Sequence, residues 1–214
     1  MKQVRKDFPS LSENLKVSAL MHLTALKYVD KQLISMACQS VIRGEIKQAK
    51  SVTNLLYAVA KSSRIYKPWL DPANKELMSV CSSLLLQEPV IAPSIASRNL
   101  WNYSVIGHKD EKLFDKLSGV LIDNRDLLQG IDVSNALTCY ADSGYLNAFV
   151  MESLIKVTIR DLENYSFFTL GNILLSFAKL DIRNPTLFAV ARAHILRVRD
   201  RLENPGSTEQ EQVA

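Results

Sequence analysis

The sequence predicts an all-α protein, a right-handed α-solenoid of about five helix-turn-helix repeats, on two observations. The first is a recurring figure: an Asn, two mostly apolar residues directly after it, another residue of the same face at the fifth position and a mostly small one at the sixth. It reads Asn172, Ile173, Leu174, Phe177, Ala178; Asn135, Ala136, Leu137, Tyr140, Ala141; Asn99, Leu100, Trp101, Ser104, Val105; and Asn54, Leu55, Leu56, Val59, Ala60. From the N-terminal copy onward the Asn recurs at steps of 45, 36 and 37 residues, the long step containing Lys67-Pro68-Trp69-Leu70-Asp71-Pro72. A weaker copy without the Asn, Ala19-Leu20-Met21 with Thr24-Ala25, lies 35 residues before Asn54. Periods of this size belong to stacked helix pairs. The second observation is composition: seven Gly, seven Pro and no run that alternates with period two, against 47% hydrophobic residues. That content fills a core without strands.

Taken in order, residues 1–13 read as a charged arm, with Ser10 and Ser12 as helix-start candidates. The repeat domain spans 14–202, with helix pairs at about 14–44, 51–87, 94–124, 132–160 and 167–202. In the first pair Leu15, Leu20 and Leu23 lead to a break near Tyr28, and Leu33, Ile34, Ala37 and Val41 form a stripe that stops at Gly44. In the second, Pro68 and Pro72 force residues 62–71 out of helix, and Asp71 caps a helix over 74–87. Pro89 and Pro93 end it. Ser94 caps the third pair, which turns at Gly107-His108; Asp132 caps the fourth, which turns at Ser143-Gly144; Asn184-Pro185 opens the last helix. Residues 203–214 read as a polar, flexible tail.

The net charge is +4, which permits a polyanionic partner without requiring one. Three cysteines, Cys38, Cys81 and Cys139, lie inside helical patterns with no CxxC spacing and read as reduced thiols of a cytosolic or organelle-matrix protein. No apolar run is long enough to span a membrane, and the N-terminus lacks the apolar stretch of a secretory signal. His22, His108 and His194 are isolated, the latter two read as surface residues, and no catalytic motif, P-loop or metal-ligand cluster is present. The expectation is therefore no enzyme, no cofactor and no metal.

Positions one, two, five and six after each Asn span the sector that meets neighbouring helices. The Asn and positions three, four and seven are left for a concave groove. That stripe reads Asn54, Tyr57, Ala58, Lys61; Asn99, Asn102, Tyr103, Ile106; Asn135, Thr138, Cys139, Asp142; and Asn172, Leu175, Ser176, Lys179. An Asn present in every unit cannot tell one nucleotide from another, so it is assigned to hydrogen-bonding backbone between adjacent helices. The variable positions suit single-stranded RNA: Asn102, Thr138 and Ser176 for polar contacts, Tyr57 and Tyr103 for stacking, Lys61 and Lys179 for phosphates. Arg183, Arg192 and Arg199, with Arg197 and Arg201, add a basic last helix that can track a phosphate backbone or simply cap a helix C-terminus. Polar residues on an exposed helix face also need no ligand. Leu175, Ile106 and Asp142 suit a protein partner better.

The stretches FTLGNILLSFAKLDIRNPTLF, SNALTCYADSGYLNAFV and ASRNLWNYSVIGHKDEKLF resemble the octotricopeptide and heptatricopeptide repeats of organellar RNA-binding proteins, including the FAST-kinase-like proteins that carry a RAP domain. The similarity covers roughly 19–201 and leaves no room for a RAP domain; the PPPEW-type signature is also missing. The resemblance implies a mitochondrial matrix protein, or a plastid one, acting in RNA maturation, stability or translation. Five repeats would read about five nucleotides, too few to find a transcript alone. A resident component of a ribonucleoprotein such as the mitochondrial ribosome, holding single-stranded or ribosomal RNA among neighbouring proteins, is the expectation. The alternative is a protein–protein scaffold that never touches nucleic acid.

Overall fold

The computed structural model describes residues 2–203, all helix and connection, with no strand among the described residues; the tail expected over 204–214 lies outside them. Eleven α-helices follow in chain order among the described residues: α1 (Lys2–Asp7), α2 (Glu13–Ala25), α3 (Lys31–Ile42), α4 (Ala49–Ser62), α5 (Leu77–Gln87), α6 (Pro93–Ile106), α7 (Glu111–Asp123), α8 (Gly130–Ser143), α9 (Ala148–Asp161), α10 (Phe167–Lys179) and α11 (Pro185–Glu203). They pack in two rows. In one, α2, α4, α6, α8 and α10 each touch the next; in the other, α3, α5, α7, α9 and α11 do the same. The core is one continuous cluster, from Phe8 to Ala191.

The turn within a pair is built the same way four times. A residue in the left-handed region, Lys27, Gly107, Gly144 or Asp181, stands three positions before an Asp or Asn that caps the second helix. Asp30, Asp110, Asn147 and Asn184 each accept a hydrogen bond from a backbone amide three residues on, at Leu33, Leu113, Val150 and Leu187 (2.9–3.3 Å). Such a cap satisfies an amide that the helix cannot, worth about 1 kcal/mol. The last three turns lie 37 residues apart. The second pair departs: after α4 the chain takes two short 3-10 turns, Pro68–Leu70 and Pro72–Asn74, and Asp71 caps the second of these rather than an α-helix.

Three further expectations are corrected. Residues 1–13 do not form a free arm: α1 leads to a 3-10 turn at Phe8–Ser10, Phe8 is fully buried, and Arg5 pairs with Asp30 at 2.9 Å. One large ring outweighs the charges around it. Ser94 does not cap α6, which opens at Ala92 with Pro93 in its first turn. Asp132 acts one turn inside α8, in a capping box with Gln129, and also accepts a 2.6 Å hydrogen bond from Ser97 of α6. Its carboxylate thereby ties α8 to α6.

The repeat register also needs one correction. Asn99 is buried with its amide donating to Thr53 Oγ1 at 2.8 Å, whereas Asn54, Asn135 and Asn172 are only half-buried. The residue of α6 that shares their position is Arg98. With that shift, the steps to Asn135 and Asn172 both become 37 residues, and Tyr103 aligns with Tyr140. These two buried tyrosines behave identically: their hydroxyls meet Ser82 of α5 at 3.0 Å and Ser118 of α7 at 2.7 Å. One repeat later Phe177 and Ile155 stand at the same two places, both polar groups gone together.

Counted from Asn54, Arg98, Asn135 and Asn172, each helix of the first row divides its circumference into four sectors. Positions +1 and +4 face the preceding helix, as Asn99 and Asn102 do in reaching Thr53. Position +5 (Val59, Tyr103, Tyr140, Phe177) faces the second row and is fully buried. Positions −5, −1, +2 and +6 form a stripe toward the following helix: Ala49, Thr53, Leu56, Ala60 in α4; Pro93, Ser97, Leu100, Ser104 in α6; Gly130, Ser134, Leu137, Ala141 in α8. Spacings of four, three and four keep one helix face, and small residues on it let the next helix approach closely. At Gly130 a Cβ would sit 2.6 Å from the Tyr165 ring. Position +4, expected in the groove, is therefore interior: Ala58, Asn102, Cys139 and Ser176 are all buried.

Candidate functional site

Only positions −4, 0, +3 and +7 remain for the open face of the first row. They are Lys50, Asn54, Tyr57, Lys61; Ser94, Arg98, Trp101, Val105; Ile131, Asn135, Thr138, Asp142; and Phe168, Asn172, Leu175, Lys179. None of these sixteen residues is classed as buried. A single depression of about 470 Å³ runs across this face and touches every helix of the row. Its walls carry Met21 of α2, Tyr57 and Lys61 of α4, Arg98 and Trp101 of α6, Asn135 and Thr138 of α8, and Phe168 and Asn172 of α10. One hollow bordered by both α2 and α10 means that the row is concave on this side.

The chemistry of the hollow changes along it. At the α4–α6 end the rings of Tyr57 and Trp101 lie 5.7 Å apart, tilted by 42°. Lys61 Nζ stands 5.4 Å from the Tyr57 ring and 5.0 Å from the Trp101 ring, and the Arg98 guanidinium lies 5.7 Å from Tyr57. Cations over aromatic faces gain about 0.5–1 kcal/mol each when exposed, enough to hold the cluster in place. Arg98 also donates to Asn54 Oδ1 at 3.3 Å. Neither Lys61 nor Arg98 has a carboxylate partner within salt-bridge distance among the described residues, so both charges are open to an anion. At the α8–α10 end Asp142 accepts from Ser104 (2.9 Å) and pairs with Lys179 at 3.2 Å. The surface there is apolar instead: Phe168 is 80% exposed and Ile131 57%.

The residues expected to meet RNA are thus divided. Tyr57, Lys61 and Thr138 line the hollow, Thr138 with its hydroxyl donated to Ser134 O. Asn102, Tyr103 and Ser176 are buried and are withdrawn as contacts: Asn102 donates to Thr53 O, Tyr103 bonds Ser82, and Ser176 donates to Asn172 O. Ile106 and Cys139 leave the groove for the same reason. Lys179 is exposed but neutralised by Asp142. Of the last helix and its approach, Arg183 pairs with Asp181, Arg197 with Glu163, and Arg199 with Asp200 and more distantly Glu203, while Arg192 has no carboxylate partner within salt-bridge distance among the described residues. The side chain of Arg201 lies outside the described residues.

Arg98 and Trp101 were missed because the Asn of α6 was placed one residue late. The repeated Asn is also not the bridge to backbone that the sequence suggested: Asn135 and Asn172 border the hollow, Asn54 accepts from Arg98, and the fourth, Asn99, is not a true copy. His194 is buried rather than on the surface, its ring 6.3 Å from Phe167.

The remaining reactive groups are sealed. Burial pushes the Cys81 and Cys139 thiols up to about 12 and raises Cys38 further. Tyr103 and Tyr140 are raised far above the ordinary phenol for the same reason. Among the described residues no cluster of His, Cys, Asp or Glu could hold a metal ion, and no helix is long and apolar enough to cross a membrane. No protein-family model matches this sequence, and no curated protein matches it.

Proposed function

We propose that the protein is a non-enzymatic, RNA-binding helical-repeat protein, a right-handed α-solenoid whose concave face holds a single strand. The observation that carries this reading is the Tyr57–Trp101 pair flanked by Lys61 and Arg98. Flat rings offer a stacking surface to any base, and two unpaired cations one helical turn away meet the phosphates. The 37-residue register supports the solenoid, since each repeat then contacts only its neighbours. With cations and rings confined to two repeats, the contact is short. A resident of a preassembled ribonucleoprotein, such as an organellar ribosome, has no search problem and tolerates a short contact. The compartment, mitochondrial matrix or plastid, rests on the repeat resemblance alone.

A second reading, a protein scaffold, is favoured by Phe168 and Ile131 in the same hollow. Fluorescence anisotropy of a labelled U-rich single strand at two salt concentrations separates the two. Two phosphate contacts give a slope of log K against log salt of about −1.4. Trp101→Ala removes one stacking surface, about 1–3 kcal/mol, and weakens binding roughly five- to 150-fold. A flat salt response, or affinity indifferent to Trp101→Ala and to Lys61→Ala with Arg98→Ala, overturns RNA binding at this face.

A further inference from the structure

The stripe that α4, α6, α8 and α10 turn toward the next place in the row is covered three times and open once. In α4, α6 and α8 it is packed under the next helix of the row: Leu56, Leu100 and Leu137 are fully buried, as are the small residues Thr53 and Ser97 around them. In α10 the same positions are Phe167, Gly171, Leu174 and Ala178. Phe167 is 52% exposed, Gly171 and Ala178 are exposed, and Leu174 is half-buried. The composition has not changed with the exposure. A helix face that met only water would carry polar residues here; this one keeps a small-and-apolar docking face. The other end is different, since there the charged helix α1 and buried Phe8 close the core.

The second row makes the matching change only in part. Met151, Ile155, Thr158 and Leu162 of α9 and the turn after it are buried or half-buried. Their counterparts 37 residues on are Phe188, Arg192, Ile195 and Arg199, all exposed. Two arginines have entered an otherwise apolar stripe. Arg199 is paired along its own helix, and Arg192, which the repeat register sets at the same open end as the α10 strip, has no carboxylate partner within salt-bridge distance among the described residues.

From this we infer that the α10 end of the stack is an interaction surface for an amphipathic helix of a partner protein. The helix lies along Phe167, Gly171, Leu174 and Ala178 as α10 lies along α8, with carboxylates toward Arg192. The inference stands on the repeat register and the exposure of α10, not on what occupies the concave hollow. A second copy of the chain is disfavoured because it would set two patches, each carrying an unpaired Arg192, against one another.

The test uses the full chain and two labelled model helices of about 18 residues with Leu and Ala on one face, one flanked by Glu and the other by Lys. The Glu-flanked helix binds, and the Lys-flanked one binds about tenfold more weakly. Ala178→Arg, at an exposed site that leaves the urea midpoint unchanged, removes binding of both. Arg192→Glu reverses the preference while leaving the apolar strip intact. Trp101→Ala changes neither result, which separates this face from the hollow. Failure of the Glu-flanked helix to bind, or binding indifferent to Ala178→Arg and Arg192→Glu, overturns the proposal. So does a dimer in sedimentation that Ala178→Arg dissolves, which would give the face to a second copy.

Discussion

Replacing Tyr140 by Phe removes one oxygen from a fully buried side chain and leaves Ser118, itself almost fully buried, with a hydroxyl that had its partner 2.7 Å away. Leaving one buried polar group unpaired costs about 1–3 kcal/mol, whereas removing both partners together can be nearly neutral. Ser118→Ala creates the complementary defect, an orphaned phenol. The double variant Ser118→Ala with Tyr140→Phe restores an apolar pair, which is what the chain itself uses one repeat later at Ile155 and Phe177. The expected pattern is two singles each destabilised by about 1–2 kcal/mol and a double closer to wild type than either single's sum, with a coupling of about 1 kcal/mol. For a chain of this length each kcal/mol moves the thermal midpoint by roughly 2–4 °C. Urea titration followed by circular dichroism reads all four corners of the cycle. Additive singles would mean that the two hydroxyls do not depend on each other, and would remove the main support for aligning Tyr103 with Tyr140.

Ala141→Leu pushes extra carbons into the α8 stripe under α10 and lowers stability by about 1–3 kcal/mol in the same titration; Ala178→Leu, at the open end, does not. Gly171→Ala meets nothing within 4 Å and raises stability by up to about 1 kcal/mol through helix propensity, whereas Gly130→Ala drives a Cβ toward the Tyr165 ring and lowers it. Glu45 is held down at about 2 by hydrogen bonds from Arg43, from the buried ammonium of Lys16 and from Ser40. Because that is below the ordinary 4.5, its contribution is complete above about pH 4.5 and is lost as pH falls toward about 2. Glu45→Gln therefore flattens the acid limb of the stability profile in that window, and an unchanged limb would count against the pairing. The three thiols stay unmodified by an alkylating agent at neutral pH until urea opens the chain.

The helices, their turns and a period near 37 were legible in the sequence because each rests on local chemistry: an Asx cap, a residue that tolerates the left-handed region, an apolar face. What was not legible was the identity of a polar residue's neighbours. Asn99 and Asn135 look alike as letters, and polarity alone sends both to the surface. Asn99 is interior because Thr53, on another helix, offers its hydroxyl. The one-residue slip that followed placed Trp101 among the core residues and Tyr103 and Ile106 in the groove, when each belonged to the other side. Ser176 was misplaced for a related reason, since its hydroxyl is satisfied by the carbonyl of Asn172 within its own helix and needs no water. Phe8 was missed because one ring among charges carries no periodicity.

The division of each first-row helix into four sectors explains where variation is permitted. Three sectors meet another helix, and there the residues are mostly small or apolar toward the neighbours, with Val, Tyr, Tyr and Phe toward the second row. The fourth sector lies on the open face, and there position +3 runs Tyr57, Trp101, Thr138, Leu175 while position +7 runs Lys61, Val105, Asp142, Lys179. No further helix covers these side chains, although Trp101 also packs against the core, so their order is freer to follow a guest. The aromatic-and-cationic end faces α4 and α6, and the apolar end faces α8 and α10. A strand that stacks on Trp101 would meet Phe168 and Leu175 further along, residues that accept a base face but no phosphate. Moving a cation into that end, for example by Leu175→Lys, should therefore steepen the salt dependence of RNA binding by roughly 0.7 in log slope if the strand runs the length of the hollow. If the slope does not change, the strand stops at α6, and the α8–α10 half of the hollow belongs to something other than its backbone.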